Sequence, residues 1–246
     1  MDPDAERLEK IETFKTKLVD VICHDISRVL DITAESIGPQ NSGVNLTAMV
    51  VVLIAIETIA QFNTDITEIE KFVVRAKDRY SELESSDKEL LINRYFPRNV
   101  YPPIELMHEY FNAQFSEKIL SIDGEEKTLA EVIWKFRNAQ AHGYFPFISK
   151  NHLVKGRVNW VFENVKNRKG IKTSEIENLV KEDPKQVPIY GISGEKEVNW
   201  VSISVQVVFV HFKLGVEKFL EDLKVNDDKY AIFEQNYEKN KELYYF

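Results

Sequence analysis

Three side chains within one short stretch have the chemistry of phosphodiester cleavage. They are Arg137, Asn138 and His142 of the string Arg137-Asn138-Ala139-Gln140-Ala141-His142. Attack of a ribose 2′-hydroxyl on the adjacent phosphorus needs a group that moves a proton near neutral pH, and histidine does this with an unperturbed pKa. It also needs a fixed cation for the charge that develops on the phosphorane, which an arginine fork supplies without a metal. Asn138 can orient either partner by hydrogen bonding. Arg137 and His142 are five positions apart, about 500° along an ideal helix, so they diverge by roughly 140° within one regular helix. They converge only where the helix ends between them or where two chains combine. Gly143, directly after His142, is a good helix stop and supports the first route.

The elements that must carry this stretch are read from hydrophobic periodicity. Residues 4–32 read as a long first helix, with Leu8, Ile11, Phe14, Leu18, Val21, Ile22, Val29 and Leu30 largely on one stripe. Residues 38–45 are a turn-rich connection. A second helix over 46–62 is apolar almost all round, which marks it as central. Thr64 or Asp65 can cap a third helix to about Leu83, and a shorter one follows over 86–95. Pro102 and Pro103 suit the start of a helix to about Leu120, and residues 121–124 read as a turn. Thr128 opens the helix that carries the motif, with Leu129, Val132, Ile133 and Phe136 facing inward and Gly143 ending it.

The period then changes. Residues 144–148, 157–162 and roughly 186–201 are short segments, β-branched or aromatic, broken by Gly, Pro and Asn. They predict a small sheet inserted into the bundle at about 144–201. Val201–Val207 alternates like a strand, yet Phe209, Phe212, Leu214, Val216, Phe219, Leu220 and Leu223 continue at helical spacing. A helix is expected to begin in or just after it. A charged terminal helix with scattered aromatic residues spans about 227–245. The expectation is a single mainly α domain, an antiparallel helical bundle with a β-rich insertion.

Composition bounds the function. An apolar fraction of 43% in 246 residues can bury a real core. No apolar run approaches the roughly 18–20 residues of a membrane span, since the longest, Leu46–Ile56, is ended by Glu57. The acidic start Met1-Asp2-Pro3-Asp4 is unlike a secretory leader, and a lone Cys23 fits a reducing cytoplasm and excludes a disulfide framework or a multi-Cys zinc site. The net charge of −8 gives no overall attraction to nucleic acid. Its distribution does. From Lys150 to Lys172 seven basic residues face one acid, Glu163, a window of +6 in a chain that is otherwise −14. Lys150, Lys155, Arg157, Lys166, Arg168 and Lys169 are therefore candidate RNA-binding residues, because clustered cations dominate phosphate affinity.

The longer string Trp134-Lys135-Phe136-Arg137-Asn138-Ala139-Gln140-Ala141-His142-Gly143-Tyr144 resembles the signature of HEPN proteins. These are helical bundles in which an arginine, usually followed by a polar residue, precedes a histidine after four to six intervening positions. The resemblance implies a metal-independent endoribonuclease that works as a homodimer in a toxin–antitoxin or antiviral defence setting and leaves a 2′,3′-cyclic phosphate. It assigns Arg137 to phosphate binding, His142 to proton transfer and Asn138 to the polar place. Tyr144 fits a subgroup in which a partner nucleotidyltransferase, acting as antitoxin, modifies a tyrosine two residues past the histidine. The resemblance covers about fifteen residues and a general helical layout, and the insertion departs from a minimal bundle.

Two other readings of the same residues stand beside this one. One is a non-catalytic module that binds RNA, a nucleotide or a protein partner. The other is a helix end where Arg137 and His142 complement the dipole. Glu57, a carboxylate in the most apolar helix, needs a partner and could orient Arg137 or His142. His24 with Asp20 or Asp25 reads as a surface contact. Trp160, Phe162 and Trp200 could stack on bases or form the core of the sheet. His108, His152 and His211 lack metal-ligand spacing, so no metal or cofactor is expected.

Overall fold

The structure, a computed structural model, describes residues 3–36, 42–65, 102–122, 125–134, 157–161, 171–184, 187–195 and 198–244. It is mainly helical, with a few short strands. The N-terminal pattern forms one helical run, α1 (Pro3–Phe14), a π turn (Lys15–Val19) and α2 (Asp20–Ser36). A π turn takes up one extra residue, so every inward position beyond it moves along by one. Ile11, Phe14 and Leu18 are buried, and then Val19, Ile26 and Leu30. Val21 and Val29, expected on the stripe, are 51% and 44% exposed, and Leu8 is also exposed.

The second helix, α3 (Ser42–Ala60), continues into a 3₁₀ turn (Gln61–Asn63). Met49, Val52, Leu53, Ile56 and Ile59 expose nothing, so the helix is central as its composition implies. One edge, Val51 and Ile54, remains open. Phe62, just past its end, packs on Phe14 of α1 at a ring distance of 4.6 Å. Phe233 lies edge-on to Phe14 at 5.1 Å, so three distant parts of the chain meet in one aromatic cluster. The helices expected at about 64–83 and 86–95 fall outside the described residues.

The helix expected to reach Leu120 stops ten residues early, as α4 (Pro102–Tyr110). Asn112 is extended, and its Oδ1 accepts the Gln114 N–H at 2.9 Å, which starts a 3₁₀ turn (Ala113–Ser116) instead. Strands β1 (Lys118–Ile122) and β2 (Glu125–Thr128) then pair antiparallel. The dipeptide between them, Asp123-Gly124, is a strong hairpin signal. Residues 121 and 122, expected in a turn after a helix, are instead the end of β1. The motif helix, α5, follows directly and is described over 129–134.

The second sheet consists of β3 (Arg157–Val161), β4 (Tyr190–Glu195) and β5 (Val198–Ser204) in the order β3-β5-β4. β3 runs parallel to β5 and β4 antiparallel to it. Parallel neighbours need a crossover, and this one contains a helix, α6 (Thr173–Glu182), that the expected β insertion does not include. Asp31 of α2 holds its start, accepting from the Thr173 N–H at 2.8 Å and hydroxyl at 2.7 Å. Ile171, Ile176, Val180, Val187, Ile189 and Val201 are buried in the same core as the helices. The insertion is thus neither purely β nor peripheral.

β5 passes directly into α7 (Val205–Val225), whose first turn is capped by the Ser204 hydroxyl. Every residue from Val205 to Phe212 is buried, so the strand-like alternation of Val201–Val207 does not separate an inner from an outer face. Asn226 caps α8 (Asp227–Tyr244) by accepting the Lys229 N–H at 3.2 Å. Its aromatic residues are not scattered: Phe233 and Tyr237 are buried, with Tyr230 and Tyr244 packed beside them. Among the described residues, no helix is long and apolar enough to cross a membrane.

Candidate functional site

The entry to the motif helix is tightly built. Thr128 and Glu131 form a reciprocal capping box. The Thr128 N–H donates to the Glu131 carboxylate at 2.7 Å, and the Glu131 N–H donates to the Thr128 hydroxyl at 3.2 Å. The Leu129 N–H donates to the Glu117 carbonyl at 3.0 Å, tying the helix to the end of the preceding 3₁₀ turn. His108 of α4 adds a third tie, its Nε2 lying 3.1 Å from the Thr128 hydroxyl oxygen. That oxygen also accepts the Glu131 N–H, and its remaining donor and acceptor capacity suits either tautomer of the ring. Burial pushes the His108 pKa down, against the pull of the Glu131 charge. Leu129, Ala130, Val132 and Ile133 expose nothing, and Trp134 is buried. The expected inward face of α5 is therefore observed as far as the described residues run.

Arg137, Asn138, His142 and Tyr144 lie beyond Trp134, outside the described residues, as does Phe136. Of the candidate RNA-binding cations, Lys150, Lys155, Lys166, Arg168 and Lys169 also lie outside. Arg157 opens β3, in register with Trp200 of β5, and Trp160 is in register with Ile203. Lys172 is exposed at the start of α6, and its carbonyl accepts the Glu175 and Ile176 N–H groups. The basic window is thus attached to the fold at two points, a strand of the sheet and the first turn of α6. Buried Gln206 strengthens the second point by donating from Nε2 to the Ile171 carbonyl at 3.1 Å.

Glu57 is half-buried on α3. His24, Asp20 and Asp25 are exposed. Cys23 is half-buried, and burial pushes its thiol up to about 12, which leaves it protonated and unreactive at neutral pH. Among the described residues, no group of three His, Cys, Asp or Glu side chains is placed to hold a metal ion.

A second place draws attention that sequence reading passed over. His211, in the middle of α7, is 3% exposed, and its buried Nε2 has no hydrogen-bond partner among the described residues. Burial, with the nearby Lys218 charge adding to it, pushes the imidazole down to about 4. The ring lies edge-on to Phe115 at 5.6 Å and lines an open groove of about 740 Å³. One turn further along α7, Gly215 lets Phe111 lie against the helix backbone. A Cβ there would stand 2.5 Å from Phe111 Cδ1. The sequence signal was a single histidine inside the apolar run Val207-Val208-Phe209-Val210-His211-Phe212.

Compared with known proteins, the chain matches no family model, no curated protein and no solved structure.

Proposed function

We propose that this protein is a metal-independent endoribonuclease of the HEPN type, acting as a homodimer in a toxin–antitoxin or antiviral defence setting. The observation that carries the reading is the string from Trp134 to Tyr144, which follows in the sequence a helix start fixed in the core by four fully buried positions and a capping box. A helix anchored in this way at its start can deliver side chains beyond Trp134 to a defined place. The +6 window supplies the cations that RNA needs in an otherwise acidic chain.

In this reading, His142 takes the proton of the 2′-hydroxyl as its oxygen attacks phosphorus. Arg137 neutralises the phosphorane, and Asn138 orients one of the two. The 5′-oxygen leaves as a hydroxyl, taking a proton from an imidazolium, and a 2′,3′-cyclic phosphate remains. The five-residue separation means that one regular helix does not bring Arg137 and His142 together, so the site forms where the helix ends or, in the homodimer, where the second chain approaches.

The test is incubation of the purified protein with RNA in excess chelator. Cleavage to a cyclic-phosphate end is expected, and Arg137→Ala and His142→Ala should each lower it by about a hundredfold or more. Salt-sensitive RNA binding without turnover in the wild type would replace the enzyme with a binding module. Variants that change only the melting temperature would leave the motif a packing feature.

A further inference from the structure

α2 carries apolar side chains on two faces. Ile26 and Leu30 are buried in the core, whereas Val21, Val29 and Ile32 stand on the other side at 51%, 44% and 60% exposure. These are three of the seven large apolar side chains that are exposed among the described residues. Single exposures scattered over a surface need no account, but three gathered on one side of one helix do. At 3.6 residues per turn, Val21, Asp25, Arg28 and Ile32 fall within about 60° of one another around the helix, and Val29 flanks them. Their spacing of four, three and four residues is that of the a and d positions along a coiled-coil seam. Asp25 and Arg28 are both exposed, and neither makes an ion pair or a side-chain hydrogen bond among the described residues.

The order along this seam is apolar, acid, base, apolar, and read backwards it is its own complement. A second α2 laid antiparallel, with the two-fold axis between residues 26 and 27, sets each Val21 against the partner's Ile32. The same placement sets each Asp25 against the partner's Arg28. A parallel pairing would instead put acid on acid and base on base. An isologous contact needs a surface complementary to itself, which is the property this order has, whereas a foreign helix imposes no such order.

We infer that the outer face of α2 docks a second copy of this chain, α2 on α2 and antiparallel, with Val21 on the partner's Ile32 and Asp25 paired to the partner's Arg28. Burial of the valine and isoleucine side chains drives the contact, and the two reciprocal ion pairs fix its register and direction. A seam of about three turns is short, so a weak dimer is expected, with a Kd of about 1–100 μM. The face uses none of the motif residues. It gives the homodimer of the proposed reading a surface, and dimerisation and RNA cleavage are measured separately, so either can fail alone.

The test is sedimentation equilibrium of the full chain with charge reversals on this face. Both positions are exposed, so folding is not at issue. Asp25→Arg and Arg28→Asp should each weaken the dimer by about tenfold or more, because each sets like charges together at both reciprocal contacts. The double variant, Asp25→Arg with Arg28→Asp, exchanges the charges and should dimerise within about threefold of the wild type. A wild type that stays monomeric up to about a millimolar, or a dimer that the single reversals leave intact, would overturn this face as the docking surface. Single reversals that weaken the dimer without rescue by the double variant would overturn the antiparallel register.

Discussion

Two places in this protein hold polar groups in different ways. At the start of α5, the Thr128 hydroxyl, the Glu131 carboxylate and the His108 imidazole satisfy one another, and the helix that leads to the motif is fixed by them. In the middle of α7, His211 is buried deeper than any of these and has an Nε2 with no partner among the described residues. The first arrangement spends polar groups on order. The second, beside the groove, costs stability, as an unpaired buried nitrogen does. Polar burial in itself therefore marks nothing, whereas polar burial without partners marks a place to test.

The largest effect should come from acid. The unfolded chain protonates His211 near 6.5, whereas the folded chain holds the ring neutral down to about 4. Between those values the unfolded state binds the extra proton, so stability is fully present above 6.5 and is lost as the pH falls to about 4. The loss is on the order of 3 kcal/mol. Denaturant unfolding at pH 7 and pH 4 should show it in the wild type and show it missing from His211→Phe, once shared carboxylate effects are subtracted. Equal acid losses in the two proteins would remove the contrast between α5 and α7.

Gly215 tests the wall of the same groove. Alanine gains about 1 kcal/mol of helix propensity, but its Cβ meets the Phe111 ring and, at 3.3 Å, the Tyr110 carbonyl. A net loss of about 2 kcal/mol is expected in urea unfolding, because the buried ring must move. A neutral or stabilising Gly215→Ala would show that the ring yields and that the wall is not rigid.

Thr128→Ala probes the other region and should have the smallest effect. It removes one half of the capping box and the hydroxyl held by His108, at a cost of about 1 kcal/mol in thermal unfolding. An unchanged melting temperature would show that burial of Leu129 to Trp134 alone holds α5.

Some of this was legible in the sequence for reasons that are local. Thr128 with Glu131 announced a helix start, and Leu129, Val132 and Ile133 announced its inner face. The hairpin of β1 and β2 was missed, because the proline start at Pro102 and Pro103 suggested a helix to about Leu120 followed by a turn. The π turn was hidden because one extra residue leaves each half of the stripe looking regular; beyond it the expected Leu30 is buried, as is Ile26, whereas the expected Val21 and Val29 are exposed. α6 was readable from Ile176 and Val180 with the Glu177–Lys181 pair, but its neighbours on both sides have strand character.

The sequence by itself determined the mainly helical class, the centrality of α3, the entry to the motif helix and the one basic window in an acidic chain. Each depends on periodicity, capping or charge within a few consecutive residues. Only the tertiary structure decided where β5 becomes α7, because a segment buried on every side loses the pattern that distinguishes two periods. It also decided that the insertion joins the core through Asp31, Thr173 and Gln206, groups separated along the chain that become neighbours only by folding. It alone made His211 conspicuous, since whether a buried nitrogen has a partner depends on what every other element brings to it.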